Sequence, residues 1–230
     1  MANNYADPDD ALRVMEKSKW TQEEELSMIL CLDAAAARVD TYCGRESGMF
    51  VADSTASART FVGSGSPVQR IPECAEISAV AVKDSITASS YTSWDSTDYI
   101  SARGDPKDPD FNNTPYTLLV CAADGDYSSF LSGRWSWKGG FRPDPEQYRQ
   151  RGYPTVQVTA KWGYATTVPD TIKLATVMVA VRWYKRLQSG MSDTLASGEL
   201  GQMLYTMRLD PDVEGMLKDS GFKRPIWLLR

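Results

Sequence analysis

The chain has 230 residues, of which 42% are hydrophobic and 24% are charged, and its net charge is −5. A chain of this length holds one large domain or two small ones around a substantial core. No apolar run reaches the roughly 20 residues that cross a bilayer, and the acidic first segment, MANNYADPDD, is unlike a secretory signal or a transit peptide. We therefore expect a protein that does not cross a membrane.

The sequence contains no histidine and four cysteines. The absence of histidine excludes Ser/His/Asp and Cys/His nucleophile systems and most histidine-based metal centres. Zinc sites of the usual spacing are also excluded, because the cysteines lie far apart without a CxxC pair; they are Cys31, Cys43, Cys74 and Cys121. We expect free buried thiols and no cofactor, although a carboxylate- and metal-dependent hydrolase remains an alternative.

The first long element is a helix predicted from about residue 21 to residue 43. Thr21 and Glu24 form the pattern of a capping box, and Gly44 suits the position that follows a helix. Helical spacing is given by apolar residues at Leu26, Ile29, Leu30, Ala34 and Ala37.

Residues 45–168 lose the helical period and show short β-prone runs separated by turn residues. The runs are Arg59–Val62, Val68–Ile71, Ile77–Val82, Tyr91–Trp94, Asp98–Ser101, Tyr116–Cys121 and Thr155–Trp162. This pattern predicts an antiparallel β-rich domain inserted between two helical segments. The expected class is α+β, with an N-terminal helical part (1–54), the insertion (55–165), a C-terminal helical part (166–221) and a C-terminal arm (222–230).

Two acidic turns within the insertion could carry chemistry. The first could bind calcium but does not follow the EF-hand pattern; it carries Asp105, Asp108, Asp110, Asn112 and Asn113. The second could pair the carboxylates of Asp124 and Asp126, but Asp, Asn and Gly are also common turn residues. We expect turns at both places.

A long loop at residues 132–154 alternates aromatic and cationic side chains. Such a loop is typical either of a single-strand nucleic-acid platform or of a protein interface. The acidic chain favours the protein interface, since nucleic-acid binders carry a basic surplus. The candidate contact residues are Arg134, Trp135, Trp137, Phe141, Arg142 and Tyr148.

A second long helix is predicted from Pro169 to about residue 189, because proline favours the first helical position. Only Lys173, Thr176 and Arg182 are clearly polar between Ile172 and Tyr184. A helix that is apolar nearly all round is buried on most sides, either in its own core or against a neighbouring subunit. Residues 191–208 are ambiguous, and Asp210-Pro211 begins a short helix that runs to about Asp219.

The C-terminal residues combine apolar and cationic side chains. Apolar groups left in water mark docking sites, so we favour docking on a partner over folding back onto the chain's own core. The residues concerned are Phe222, Lys223, Arg224, Pro225, Ile226, Trp227, Leu228, Leu229 and Arg230.

Several of these segments resemble the head–tail connector (adaptor, or head-completion) proteins of long-tailed bacteriophages. The resemblance rests on Ala36–Arg45, on Trp162-Gly163-Tyr164 leading through Val168-Pro169 into Ile172-Lys173, on Ala175 and the Arg182–Tyr184 region with Gly190, and on Leu209–Val213. The smallest members of the family are almost entirely helical, so the β-rich insertion is a departure from its pattern.

The resemblance implies a structural, non-enzymatic virion protein of the neck, assembled in the host bacterial cytoplasm. Its copies would form a ring, typically of twelve subunits, beneath the portal protein, and double-stranded DNA would pass through without specific binding. The C-terminal arm would reach the portal, and the opposite face would meet the next connector, stopper or tail protein. Contacts between neighbouring copies would involve Ile172, Ala175, Val179, Trp183 and Leu187. A ligand-binding β module with helical flanks is a further alternative.

Overall fold

The computed structural model describes residues 5–104, 115–133, 152–188, 194–197, 201–204 and 209–223. In chain order the elements are α1 (Pro8–Met15), α2 (Gln22–Cys43), β1 (Ser57–Val62), β2 (Val68–Val82), β3 (Thr92–Trp94), β4 (Tyr99–Ala102), β5 (Tyr116–Cys121), β6 (Pro154–Trp162), α3 (Asp170–Gln188), β7 (Thr194–Ser197), β8 (Gly201–Leu204) and α4 (Pro211–Asp219). The predicted α+β class is confirmed. The chain divides into a helical unit, Met1–Val51 with Thr167–Arg230, and a β unit, Ala52–Thr166.

The three predicted helices are present as α2, α3 and α4. Thr21 caps α2 by accepting a hydrogen bond from the Glu24 N–H (3.4 Å), and the Glu24 carboxylate accepts one from the Thr21 N–H (3.0 Å). Gly44 ends the same helix with a φ of 69°, a conformation that glycine adopts at no steric cost. The sequence signals therefore placed both ends of this helix.

The core of the helical unit lies between α2 and α3, and α3 also contacts α1 and α4. From α2, the buried residues are Met28, Cys31, Leu32, Ala35, Ala36, Val39, Asp40 and Cys43. From α3, they are Ile172, Ala175, Thr176, Val177, Val179, Ala180, Val181 and Tyr184. Because α3 contacts three other helices, apolar side chains on several of its sides are buried.

The β unit is an antiparallel sheet in the order β1-β6-β2-β5-β4, with β3 paired to β2. The two predicted runs at 68–71 and 77–82 are one strand, β2, whose register shifts near Cys74. Its first half pairs with β5 and its second half with β6 and β3. A bulge of this kind turns a strand without ending it, which is why the sequence suggested two strands.

Aromatic side chains fill the core of the β unit. The Trp94 ring stacks on Tyr127 and on Phe130, with centroid distances of 4.4 and 4.9 Å. Trp162 is buried and donates from its indole nitrogen to the Ser57 carbonyl (2.9 Å). The unit begins and ends at one place, because the N–H of Ala52 donates to the carbonyl of Ala165 (2.8 Å).

The segment at 191–208, which the sequence left ambiguous, contains a two-stranded antiparallel hairpin of β7 and β8. The first helix, α1, begins at Pro8. Asp7 precedes it as the N-cap, and its backbone N–H donates to the Asp10 carboxylate (3.0 Å). Proline at the first helical position fixes this start.

Replacing glycine by alanine should change the free energy of unfolding in opposite directions at two positions. A Cβ at Gly63 would lie 1.9 Å from the Leu131 carbonyl oxygen, whereas a Cβ at Gly215 in α4 would meet nothing within 4 Å. We expect Gly63→Ala to lower the free energy of unfolding of the β unit by roughly 1–3 kcal/mol or more. We expect Gly215→Ala to raise that of the helical unit by about 1 kcal/mol. Thermal unfolding of both variants tests these expectations, and a change in stability of the same sign in both variants would contradict them.

Candidate interaction surfaces

The described residues form no cluster of three or more metal-ligating side chains. The four cysteines are free; Cys31, Cys43 and Cys74 are buried as predicted, whereas Cys121 is half-buried. Burial raises the pKa of the Cys74 thiol to about 12, so this thiol stays protonated and unreactive at neutral pH. No helix in the described part of the chain is long and apolar enough to span a bilayer.

The Asp124–Asp126 segment is a turn, as expected. Buried Asp98 holds it, because the Asp98 carboxylate accepts hydrogen bonds from the N–H groups of Asp126 (3.0 Å) and Asp95 (2.9 Å). Asp124 and Asp126 are exposed. The other acidic turn, with Asp105, Asp108, Asp110, Asn112 and Asn113, lies outside the described residues.

The residues predicted to contact a neighbouring copy divide into two groups. Ile172, Ala175 and Val179 are buried inside their own helical unit, so they are not available to a neighbour while this fold persists. Their burial favours the first of the two explanations that the sequence left open for the apolarity of α3, burial in its own core. Trp183 is half-buried and Leu187 is 39% exposed, so for these two the contact stays a prediction.

An exposed apolar surface lies instead on α2. Leu26, Ile29 and Leu30 are 62%, 38% and 67% exposed, and Ala34 and Ala37 are exposed beside them. We name these five residues the α2 outer surface. The sequence had used their spacing as evidence for the helix, but the buried side of α2 is the opposite one. The helix is therefore apolar on two sides, and only one of them is covered within the helical unit.

The C-terminal segment is anchored at Phe222. This side chain is buried and packs edge-to-face on Phe50, with ring centroids 5.5 Å apart. The Arg45 guanidinium donates to the Phe222 carbonyl and lies 4.5 Å from the centroid of the Phe50 ring. The next residue, Lys223, places its amine 4.5 Å from the centroid of the Tyr42 ring.

These contacts involve Phe222, the first residue of the predicted arm. Phe222 folds back onto its own unit because Phe50 and Arg45 give its ring and carbonyl partners. The remaining predicted arm residues, 224–230, lie outside the described residues. So do all the candidate contact residues of the 132–154 loop: Arg134, Trp135, Trp137, Phe141, Arg142 and Tyr148. Their predicted roles stay predictions.

A buried polar cluster lies beneath this anchor. The Tyr5 hydroxyl donates to the Asp40 carboxylate (2.7 Å) and accepts from the Phe50 N–H (3.1 Å), and the Gly48 N–H donates to the other Asp40 oxygen (3.0 Å). Asp40 is 1% exposed. Burial raises its pKa, while the hydrogen bonds from Gly48 and Tyr5 and the charge of Arg45 oppose that rise. We name Tyr5, Asp40, Gly48 and Phe50 the Asp40 cluster; no sequence signal marked Tyr5 or Asp40 as buried partners.

Comparison with protein-family models finds no match, and no curated protein matches the sequence. Among solved structures, the chain is similar to one in the neck of an empty GTA particle computed with C6 symmetry. The TM-score is 0.45 and the identity 11%, over 92% of this chain and 84% of that chain. Nothing about function follows from a likeness at this level.

Removing the Tyr5 hydroxyl takes one hydrogen bond from the buried Asp40 carboxylate and one from the Phe50 N–H. We expect Tyr5→Phe to lower the free energy of unfolding by about 1–3 kcal/mol. The matched control is Tyr91→Phe, whose hydroxyl donates to the Pro154 carbonyl at an exposed site (3.0 Å) and should matter less. Urea unfolding of both variants tests this, and a Tyr91→Phe effect as large as that of Tyr5→Phe would contradict it.

The raised pKa of Asp40 predicts a pH dependence of stability. In the unfolded chain this carboxyl loses its proton near its ordinary value of 3.8, whereas the folded chain retains the proton to higher pH. The folded state therefore binds more protons in this window, so the contribution of Asp40 to stability falls as pH rises through it. In Asp40→Asn this dependence should be absent. Unfolding of both proteins from acidic to neutral pH measures the difference, and parallel pH profiles would show that Asp40 titrates normally.

Proposed function

We propose that this chain is a structural, non-enzymatic protein of the head–tail neck of a tailed bacteriophage or phage-like particle, acting as a connector beneath the portal. Several copies would form a ring around the DNA passage. The observation that carries the proposal is that the helical segments on which the family resemblance rests, although far apart in sequence, belong to one helical unit and bind one another.

These contacts involve residues inside or next to the matching segments. Arg182 of α3 forms an ion pair with Asp210 (3.1 Å), and the same carboxylate accepts from the Asp212 N–H (3.1 Å) at the start of α4. Tyr42 of α2 donates to Glu214 of α4 (2.9 Å). Residues of the matching segments thus help to join α2, α3 and α4 to one another. A chance resemblance of short segments would not require such contacts.

The surfaces of the helical unit also suit an assembling protein. An exposed apolar surface such as that of α2 marks an interaction site, and half-buried Trp183 and exposed Leu187 offer a further contact for a neighbouring copy. The net charge of −5 disfavours tight phosphate contacts, as suits a channel through which DNA moves. The portal, the neighbouring copies and the next connector, stopper or tail protein are the proposed partners, and the virion neck is the proposed location.

The anchor at Phe222 defines where an arm for the portal can begin. We expect a chain truncated after Lys223 to keep its free energy of unfolding, because Phe222 retains its contacts with Phe50 and Arg45, and to lose binding to the cognate portal. A chain truncated after Gly221 should also be destabilised, by up to about 3 kcal/mol, since it loses the buried aromatic ring. Urea unfolding and portal pull-down compare the two truncations with the full chain.

The outcomes separate the arm from the function. Portal binding by the chain truncated after Lys223 would show that residues 224–230 are not the arm. If the full chain neither binds the portal nor forms a ring with it in native mass spectrometry, the connector function itself is wrong.

A further inference from the structure

The two ends of the helical unit meet at Phe50. The Phe50 ring packs edge-to-face against both Tyr5 and Phe222, with centroid distances of 5.8 and 5.5 Å. Tyr5 is the first described residue of the chain and Phe222 is the last but one. All three side chains are buried, so the segment before α1 and the segment after α4 both help to cover one aromatic ring.

Hydrogen bonds join the same segments. The Phe50 N–H donates to the Tyr5 hydroxyl (3.1 Å). The Arg45 guanidinium donates to the Phe222 carbonyl while it lies over the Phe50 ring. The charge of Arg45 also acts on Asp40, which accepts from the Tyr5 hydroxyl. Each end of the unit is therefore held to the short segment after α2 by a ring contact and by a hydrogen bond.

We propose that this short segment, residues 45–50, couples the two ends of the chain. Phe222 then leaves its place more readily once Tyr5 is displaced, because Phe50 has lost a hydrogen bond and a ring contact that help to fix it. Residues in one network of contacts change each other's energetics, and such a coupling is equal in both directions. A partner that draws Phe222 away would therefore also loosen the residues before α1.

The C-terminal segment can move without unfolding α4. The helix ends at Asp219, and Gly221 follows with a φ of 68°. A Cβ at Gly221 would meet nothing within 4 Å, so the backbone has room to rotate there, and rotation at the end of an element is how a hinge acts. The inference goes beyond the proposed function and does not depend on it, since it needs only contacts within one chain.

Trypsin cleavage after Lys223 measures the release of Phe222. The chain around the cleaved bond must fit the protease in an extended form, so Phe222 has to leave its place first. The next basic residue, Arg224, precedes a proline, and trypsin does not cleave there. The rate follows the population of the released form when release is fast, and we expect Tyr5→Phe to raise it roughly threefold or more. Cleavage after Lys173 in α3 reports unfolding of the whole unit and should remain far slower.

Two further variants set the scale of this experiment. Arg45→Gln removes the donor to the Phe222 carbonyl and should raise the same cleavage. Thr176→Val is the matched control, because it removes another buried hydroxyl of the helical unit, one that donates to the Ile172 carbonyl (2.8 Å), and it should leave the cleavage unchanged. The proposal is wrong if Tyr5→Phe leaves the rate unchanged, or if Thr176→Val raises it as much as Tyr5→Phe does.

Hydrogen exchange of the Phe50 N–H tests the opposite direction. This amide is protected by the Tyr5 hydroxyl. We expect Phe222→Ala to raise its exchange rate roughly threefold or more, and to raise it more than the rates of the α3 amides. Lys223→Ala, which keeps the Phe222 ring, should not change it. An unchanged Phe50 amide in Phe222→Ala would show that the two ends act independently and would overturn the coupling.

Discussion

The hydrogen bond from Tyr5 to buried Asp40 is the constraint on which the helical unit depends. A carboxyl group removed from water is costly unless it is hydrogen-bonded, and here its partners come from two separate segments, Tyr5 before α1 and Gly48 after α2. The chain on both sides of these helices must therefore fold back to Asp40. The Tyr5 hydroxyl also accepts a hydrogen bond from the Phe50 N–H, and the Phe50 ring packs against the ring of Phe222. The Asp40 cluster therefore also positions the start of the C-terminal segment.

Outside this cluster the helical unit is held by apolar packing. Its two long helices, α2 and α3, are both rich in apolar residues but differ in how much of their surface is covered. α3 contacts α1, α2 and α4, and most of its apolar residues are buried within the chain, although Leu174 and Leu187 remain 47% and 39% exposed. α2 is covered on one side only and leaves leucine, isoleucine and alanine side chains exposed on the other. The larger exposed apolar surface is thus on α2 and not on the more evenly apolar α3.

The sequence predicted helices α2, α3 and α4 but did not show which side of α2 is buried. Thr21, Glu24 and Gly44 fixed the ends of α2 because caps act locally, and Asp210-Pro211 fixed the start of α4. The period of α2 could not show which side is buried, since Leu26 and Leu30 fit a helix as well as Met28 and Leu32 do. The single strand β2 read as two because its bulge near Cys74 interrupts the alternation. Tyr5 and Asp40, 35 residues apart in sequence, meet only in the fold, and no local pattern marks such a pair.

The Ala52–Ala165 hydrogen bond, at the point where the β unit begins and ends, has a consequence for how the chain is built. The two ends of the β unit, Ala52 and Ala165, are joined by one hydrogen bond. Once the β unit is folded, the helical segments before and after it are therefore connected as if by a short loop. The covalent connection therefore fixes the separation of the two ends of the insertion and sets no limit on the number of residues between them.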